Sequence, residues 1–260
     1  PNLYWALTDL PRPFIDLHKP LQGEKLWLFG TFPELREVDN PHLSPQQLER
    51  LQAIAAGLAK EQFDSANPPP DALTRLAVIG WVAKAYPAAK QALIATGRKP
   101  EEVEALPAVQ VVLIESVRDF ERRRDDMFKW TALPYTEARP GLMRVDRELK
   151  EARARRNGLS LAQLLLPAAL KVVDATAKLD RRIAALRCVE AVRLHAAAHD
   201  GKPPASLADV KDVPIPTDPM TGKGFDYKVN GDTFTLSAGP PVGDSATPYN
   251  TLAYEVTLRK

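Results

Sequence analysis

His195 and His199 stand four residues apart in an apolar-patterned segment that reads as a helix, where both imidazoles can face one metal ion. They are the candidate metal ligands. The hydrolase form of this spacing places a glutamate directly after the first histidine, and here residue 196 is alanine. Asp200 is adjacent, but no third ligand stands at a matching interval. The other reading puts the two rings in the last turn of a helix, where protonated imidazoles interact favourably with its negative end. Cys188 lies between Leu186 and Val189 and reads as a small buried hydrophobe. His195 is roughly two turns further along, too far to activate the thiol. As the only cysteine, Cys188 excludes an intrachain disulfide and a multi-cysteine zinc site. Gly-x-Ser-x-Gly and Gly-x-Gly-x-x-Gly do not occur, and Gly222-Lys223 lacks the upstream glycine of a phosphate loop. Asp9, Asp16, Asp125 and Asp126 have no acid/base partner that the sequence can place. No catalytic residue and no cofactor is assigned.

Binding chemistry is bounded by charge. Lysine plus arginine total 35 against 33 acids, a net charge of +2 over 260 residues, which argues against a nucleic-acid partner. Arg144, Arg147, Lys150, Arg153 and Arg156 step by three, but each step drifts by about 60° around a helix, so the charges wrap the rod. Asp146, Glu148 and Glu151 interleave with them, the pattern of a solvated helix laced with ion pairs. Glu121 to Asp126 reads as a self-compensating charge cluster. No apolar run approaches the roughly 18 residues of a membrane-spanning helix, so no transmembrane segment is expected. Tyr4, Trp5, Phe14, Trp27 and Phe29 in the proline-rich opening are read as packing material rather than a partner-binding surface. A protein partner or self-association stays open.

The elements that must position these groups follow from punctuation. Ser44-Pro45-Gln46-Gln47 carries a capping box and starts a helix to about Phe63. Asp71 begins another, with Leu73, Leu76, Ala77, Ile79 and Gly80 toward the core, Pro87 kinking or breaking it, and Gly97 as its stop. A third runs from Pro100 to about Lys129, interrupted at Pro107. Pro140 opens a fourth to Arg156, and Asn157-Gly158 is the sharpest break. From Ser160 to about His199, Leu161, Leu165, Ala168, Val172, Ala175 and Leu179 give the apolar stripe of a bundle helix, continued by Ile183, Leu186 and Val189. Alternation at Phe225, Tyr227 and Val229, then Asn230-Gly231, then Thr233 to Leu236 predicts a hairpin with both central turn residues at positive φ. Leu252, Tyr254, Val256 and Leu258 supply a third strand. The expected class is α+β: a helical bundle with a small antiparallel sheet of about three strands packed on the long helix. Two regions are expected, 1–158 with an extended arm and helices, and 159–260 with the long helix and sheet. An opening on proline suggests a processed or excised piece of a longer chain.

Residues 180–236 resemble a known family. Asp180-Arg181-Arg182 and Glu190-Ala191-Val192-Arg193-Leu194-His195 lead into Gly201-Lys202-Pro203-Pro204-Ala205-Ser206-Leu207. Pro214-Ile215-Pro216-Thr217-Asp218-Pro219, Thr221-Gly222-Lys223 and the hairpin follow. This succession resembles the periplasmic part of type II secretion pseudopilins over residues 160–260. Many of those hold calcium with late carboxylates. Residues 239–250 offer only Asp244, so the resemblance implies no calcium site here. Asn2-Leu3-Tyr4-Trp5-Ala6-Leu7 and Ser160-Leu161-Ala162-Gln163-Leu164-Leu165-Leu166-Pro167 are similar to phrases of uncharacterised envelope-associated planctomycete proteins. Together the resemblances imply a periplasmic or cell-envelope location and a non-enzymatic structural or protein-interaction module. The alternatives are a hydrolase or metal-dependent enzyme with a site assembled from distant residues, or an adaptor docking a secretion apparatus.

Overall fold

The structure, a computed structural model, describes residues 2–16, 23, 28–60, 71–154 and 161–258. The observed class is the expected α+β. In chain order the elements are α1 (Tyr4–Thr8), a 3-10 turn (Pro33–Arg36), α2 (Pro45–Lys60), α3 (Asp71–Ala95), α4 (Pro100–Glu104), α5 (Ala108–Thr131), α6 (Tyr135–Ala154) and α7 (Leu161–Ala198). A 3-10 turn (Leu207–Asp209) and strands β1 (Asp226–Asn230), β2 (Thr233–Ala238) and β3 (Leu252–Thr257) follow. The chain divides into two compact units. One gathers Pro1–Leu17, Thr131–Pro140 and Lys171–Lys260, the other His18–Trp130 and Gly141–Leu170. The opening arm therefore groups with the sheet, and the 157–158 break falls in residues outside the described set.

In the helical unit, the capping box at α2 forms as its residue types require. Ser44 N donates to Gln47 Oε1 at 2.8 Å and Gln47 N to Ser44 Oγ at 3.3 Å. The expected end of α2 at Phe63 lies outside the described residues. Helix α3 continues through Pro87 rather than breaking there. It stops at Gly97, which sits at φ +99, with Gly97 N on Ile94 O and Arg98 N on Leu93 O, closing the last turn. Its orientation differs from expectation: Leu73, Leu76 and Ile79 are exposed, while Thr74, Ala89 and Leu93 are buried. An alternating apolar pattern with no polar side is ambiguous about which face turns inward, and α3 is apolar nearly all round. Helix α5 is central, with Val109 to Ile114 all buried. Its Gln110 donates from Nε2 to the carbonyls of Val38 (2.9 Å) and Asn40 (2.7 Å), tying down the segment before α2. Asp39 on that segment joins the guanidinium groups of Arg98 and Arg118. Arg123 bonds both Asp119 and Glu148, and Arg144 bonds Asp126 at 2.8 Å, so the 121–126 run is compensated partly from α6 rather than by itself, while Arg144–Glu148 and Lys150–Asp146 are i,i+4 pairs within α6 as expected.

Helix α6 begins at Tyr135, not Pro140. Pro134 supplies the start, its carbonyl accepting Glu137 N and Ala138 N at 2.9 Å each, and Pro140 is absorbed one turn further in. Gly141 lets the Trp130 indole lie against the α6 backbone: a Cβ there would sit 2.1 Å from an indole carbon.

In the other unit, the sheet runs β1-β2-β3, antiparallel throughout, with Asn230 paired to Thr233 and Leu236 facing both Tyr227 and Tyr254. That register makes Gly231-Asp232 the two-residue turn, and only Gly231 has positive φ (+60). The hairpin is where the sequence places it. Its turn instead has glycine in the first central position, as type II′ turns require. The sheet packs on α7, with Phe225, Leu236 and Ala238 against Ala184, Ala185 and Cys188. The leucine stripe read from the sequence is displaced. Val172 and Leu186 are exposed, and the buried line runs through Val173, Ala177, Ala184, Cys188, Ala191 and Val192. Small residues line it because the sheet approaches closely and supplies the bulk from its own side. Tyr4 fills a second cluster with Ala191, Val210 and Val213. Among the other arm aromatics, Trp5 and Phe14 are exposed, correcting their reading as packing material, and Trp27 lies outside the described residues.

Candidate functional site

The most tightly organised polar groups surround Asp218, which is fully buried in the loop before β1. Pro216 and Pro219 stiffen this loop, and an aspartate between them turns its carboxylate back onto its own backbone. Oδ1 accepts Met220 N at 2.9 Å and Oδ2 accepts the Thr221 hydroxyl at 2.8 Å. Arg181, buried on α7, completes the shell side-on, with Nε on Oδ1 at 2.9 Å and Nη2 on Oδ2 at 2.6 Å. Burial pushes the Asp218 carboxyl up, but the Arg181 bonds, with those from Met220 and Thr221, outweigh it and hold it below its usual range.

Arg181 reaches further. Nη2 also donates to Gly239 O at 2.6 Å and Nη1 to Asn250 O at 2.7 Å. One guanidinium therefore joins the two ends of the segment between β2 and β3. Arg139 on α6 holds its middle, with Nη1 on Val242 O at 2.7 Å and Nη2 on the Asp244 carboxylate. Inside the loop, Thr247 N donates to Asn250 Oδ1 at 2.8 Å and Asn250 Nδ2 to Ser245 O at 3.0 Å. On this pinned loop Val242 is 74% and Tyr249 84% exposed. A loop that must only connect two strands has no need to hold an aromatic ring in solvent.

The arm is anchored to the same helix. Leu3 N donates to Glu190 Oε2 at 2.9 Å, Asn2 Nδ2 to Glu190 O at 2.8 Å, and the Tyr4 hydroxyl to Pro214 O. Arg187 donates to the Tyr4 hydroxyl at 3.1 Å and lies over its ring, while its buried Nε has no acceptor among the described residues. Beyond Tyr4, Leu207, Val210, Val213, Ile215 and Phe225 line an open depression of about 570 Å³, with Lys211 and Asp212 at its side.

The sequence candidates fall elsewhere. The His195 and His199 rings stack, centroids 3.9 Å apart and planes within 9°. His199 Nδ1 donates to His195 O at 2.7 Å, a side-chain cap on the last turn of α7. Among the described residues no group of three or more His, Cys, Asp or Glu side chains gathers as a metal site would. The Cys188 thiol is pushed up to about 12 by burial and is a poor nucleophile at neutral pH. Asp125 pairs with Arg124 and Asp126 with Arg144. Arg181 and Asp218 stand in the phrases that carry the resemblance but were given no role there, and Arg139 was not singled out. The available signals were an aspartate between two prolines and an arginine within the alanine-rich part of α7, too weak alone to pair them.

No family model, no curated protein and no solved structure matches the chain. No helix among the described residues is long and apolar enough to cross a membrane.

Proposed function

We propose that the chain is a non-enzymatic interaction module of a bacterial cell envelope, which presents the β2–β3 loop to a protein partner. The observation that carries this reading is the display of Val242 and Tyr249 on a loop already fixed by Arg181 and Arg139. Tyrosine is a favoured anchor at interfaces, and a loop ordered beforehand loses little entropy when a partner docks. The polar residues around it are engaged in holding backbone, which favours a scaffold over a reaction site. The envelope location rests on the resemblance of residues 160–260 to the periplasmic part of pseudopilins.

The test is site-specific photo-crosslinking from position 249 in cells that make the protein, combined with fractionation. The expected result is one discrete adduct in the envelope fraction. Tyr249→Ala should weaken partner binding by about tenfold, the size of a modest hot spot. Its melting temperature should stay unchanged because the side chain is exposed. A cytosolic protein, or an adduct formed equally from position 228 on the exposed edge strand β1, contradicts the reading.

A further inference from the structure

Strand β1 lies at one edge of the sheet, and the outward side of its backbone is open. Its register sets Asp226 opposite Ser237, Lys228 opposite Thr235 and Asn230 opposite Thr233. Leu258 N donates to Asp232 O at 2.9 Å, which carries the β2–β3 register one position further and fixes the alternation of the ladder. Phe234 and Leu236 therefore bond toward β3, and Thr233, Thr235 and Ser237 toward β1. On β1 this leaves the N–H and C=O groups of Tyr227 and Val229 pointing away from the sheet. They have no hydrogen-bond partner among the described residues. Val229 shares a face with the buried Phe234, yet it is 38% exposed. Asp226 and Lys228 are exposed two positions apart on the other face, and neither has an ion-pair partner among the described residues.

We infer that β1 pairs with β1 of a second copy of the chain, antiparallel, about a two-fold axis through Tyr227. In that register Tyr227 exchanges both backbone bonds with its counterpart, and Val229 does so with Phe225 of the second copy. Asp226 then stands directly opposite Lys228 of the second copy, and the symmetry makes this pair twice. A lysine on an open edge ordinarily guards it against pairing; here the axis gives each lysine an acid. An axis through Lys228 would instead set the two ammonium groups face to face. The pairing also keeps the apolar faces of both sheets on one side, so the exposed Val229 meets Phe225. At the other edge, β3 has Glu255 as its one charged residue from Leu252 to Thr257, so a two-fold pairing there gains no ion pair. Two β1 strands close on themselves at two copies, whereas β1 against β3 of a next copy would extend without end. The inference concerns β1 and not the β2–β3 loop. A crosslink from position 228 would give a homodimer, distinct in mass from the partner adduct of position 249, so either reading can fail alone.

The experiment is sedimentation velocity of the 260-residue chain over a concentration series, with amide hydrogen exchange at its two ends. A monomer–dimer equilibrium is expected, and the Tyr227 and Val229 amides should exchange more slowly at the high end while those of Ala253 and Glu255 stay unchanged. D226K and K228D each set like charges opposite one another twice and should weaken the dimer by about tenfold or more. D226K/K228D restores both pairs with their signs exchanged and should recover the dimer to within about threefold of the parent. Melting of all three variants at low concentration should match the parent, because both residues are exposed. A monomer at every concentration, or a double variant no better than the single ones, overturns the inference. So does slowed exchange at Ala253 and Glu255, or loss of association in K228D but not in D226K, which would assign Lys228 to Glu255 of a next copy.

Discussion

Replacing Arg181 by methionine removes one side chain and four hydrogen bonds, and the consequence can be followed atom by atom. Asp218 keeps its bonds from Met220 N and the Thr221 hydroxyl but loses both guanidinium contacts, at 2.9 and 2.6 Å, in a site with no solvent exposure. The carbonyls of Gly239 and Asn250 lose the same donor. Stripping one partner from a buried ion pair costs about 3–5 kcal/mol, because the other charge stays behind uncompensated. At roughly 2–4 °C per kcal/mol for a chain of this size, the melting transition of the sheet-bearing unit should fall by about 6–20 °C at pH 7. Differential scanning calorimetry reads this directly, with the exposed neighbour change Arg182→Met as control. The pH dependence carries a second signature. The folded Asp218 carboxyl is held low, so its contribution is present above the ordinary carboxylate value and is lost as pH falls through the lowered one. Without Arg181 only the Met220 and Thr221 bonds oppose burial, so that contribution shrinks. The deficit of the variant should therefore be largest at neutral pH and shrink below about pH 4. A variant melting within about 2 °C of the parent, or a deficit that does not shrink in acid, would refute the argument.

Two further outcomes test the packing. Gly141→Ala should destabilise the helical unit by about 1–3 kcal/mol and change Trp130 fluorescence, since a methyl would stand 2.1 Å from an indole carbon. Urea unfolding followed by tryptophan emission measures both effects. Cys188 should resist a thiol reagent in the native protein at pH 8 and react once the chain is unfolded, because burial holds its thiol at about 12. Rapid native labelling would show that the sheet opens away from α7.

What could be read from the sequence was what local chemistry decides. The capping box at Ser44, the stop at Gly97, the hairpin around Gly231 and the extent of α7 each depend on a few neighbouring residues, and each forms. Which face of a helix turns inward depends on what packs against it. Ala184, Ala185 and Cys188 form the core line of α7 only because Phe225 and Leu236 arrive from forty residues or so further on. The stripe of larger residues through Val172 and Leu186 was the stronger local signal and pointed the wrong way. The same ambiguity misplaced Leu73, Leu76 and Ile79 on α3. The clamp of Arg181 on Asp218 was invisible for a related reason: a long-range ion pair leaves no spacing in the sequence. Its existence is a property of the assembled unit.

The docking of the arm bears on the order in which the molecule can be made. The Tyr4 hydroxyl meets Pro214 across 210 positions of chain. At a synthesis rate of about 5–20 residues per second, the arm waits roughly 10–40 s after its own synthesis for its seat. Meanwhile the two stretches of the helical unit, His18–Trp130 and Gly141–Leu170, both emerge before Pro214 does. Throughout that interval Tyr4, which is fully buried once the arm is seated, travels uncovered.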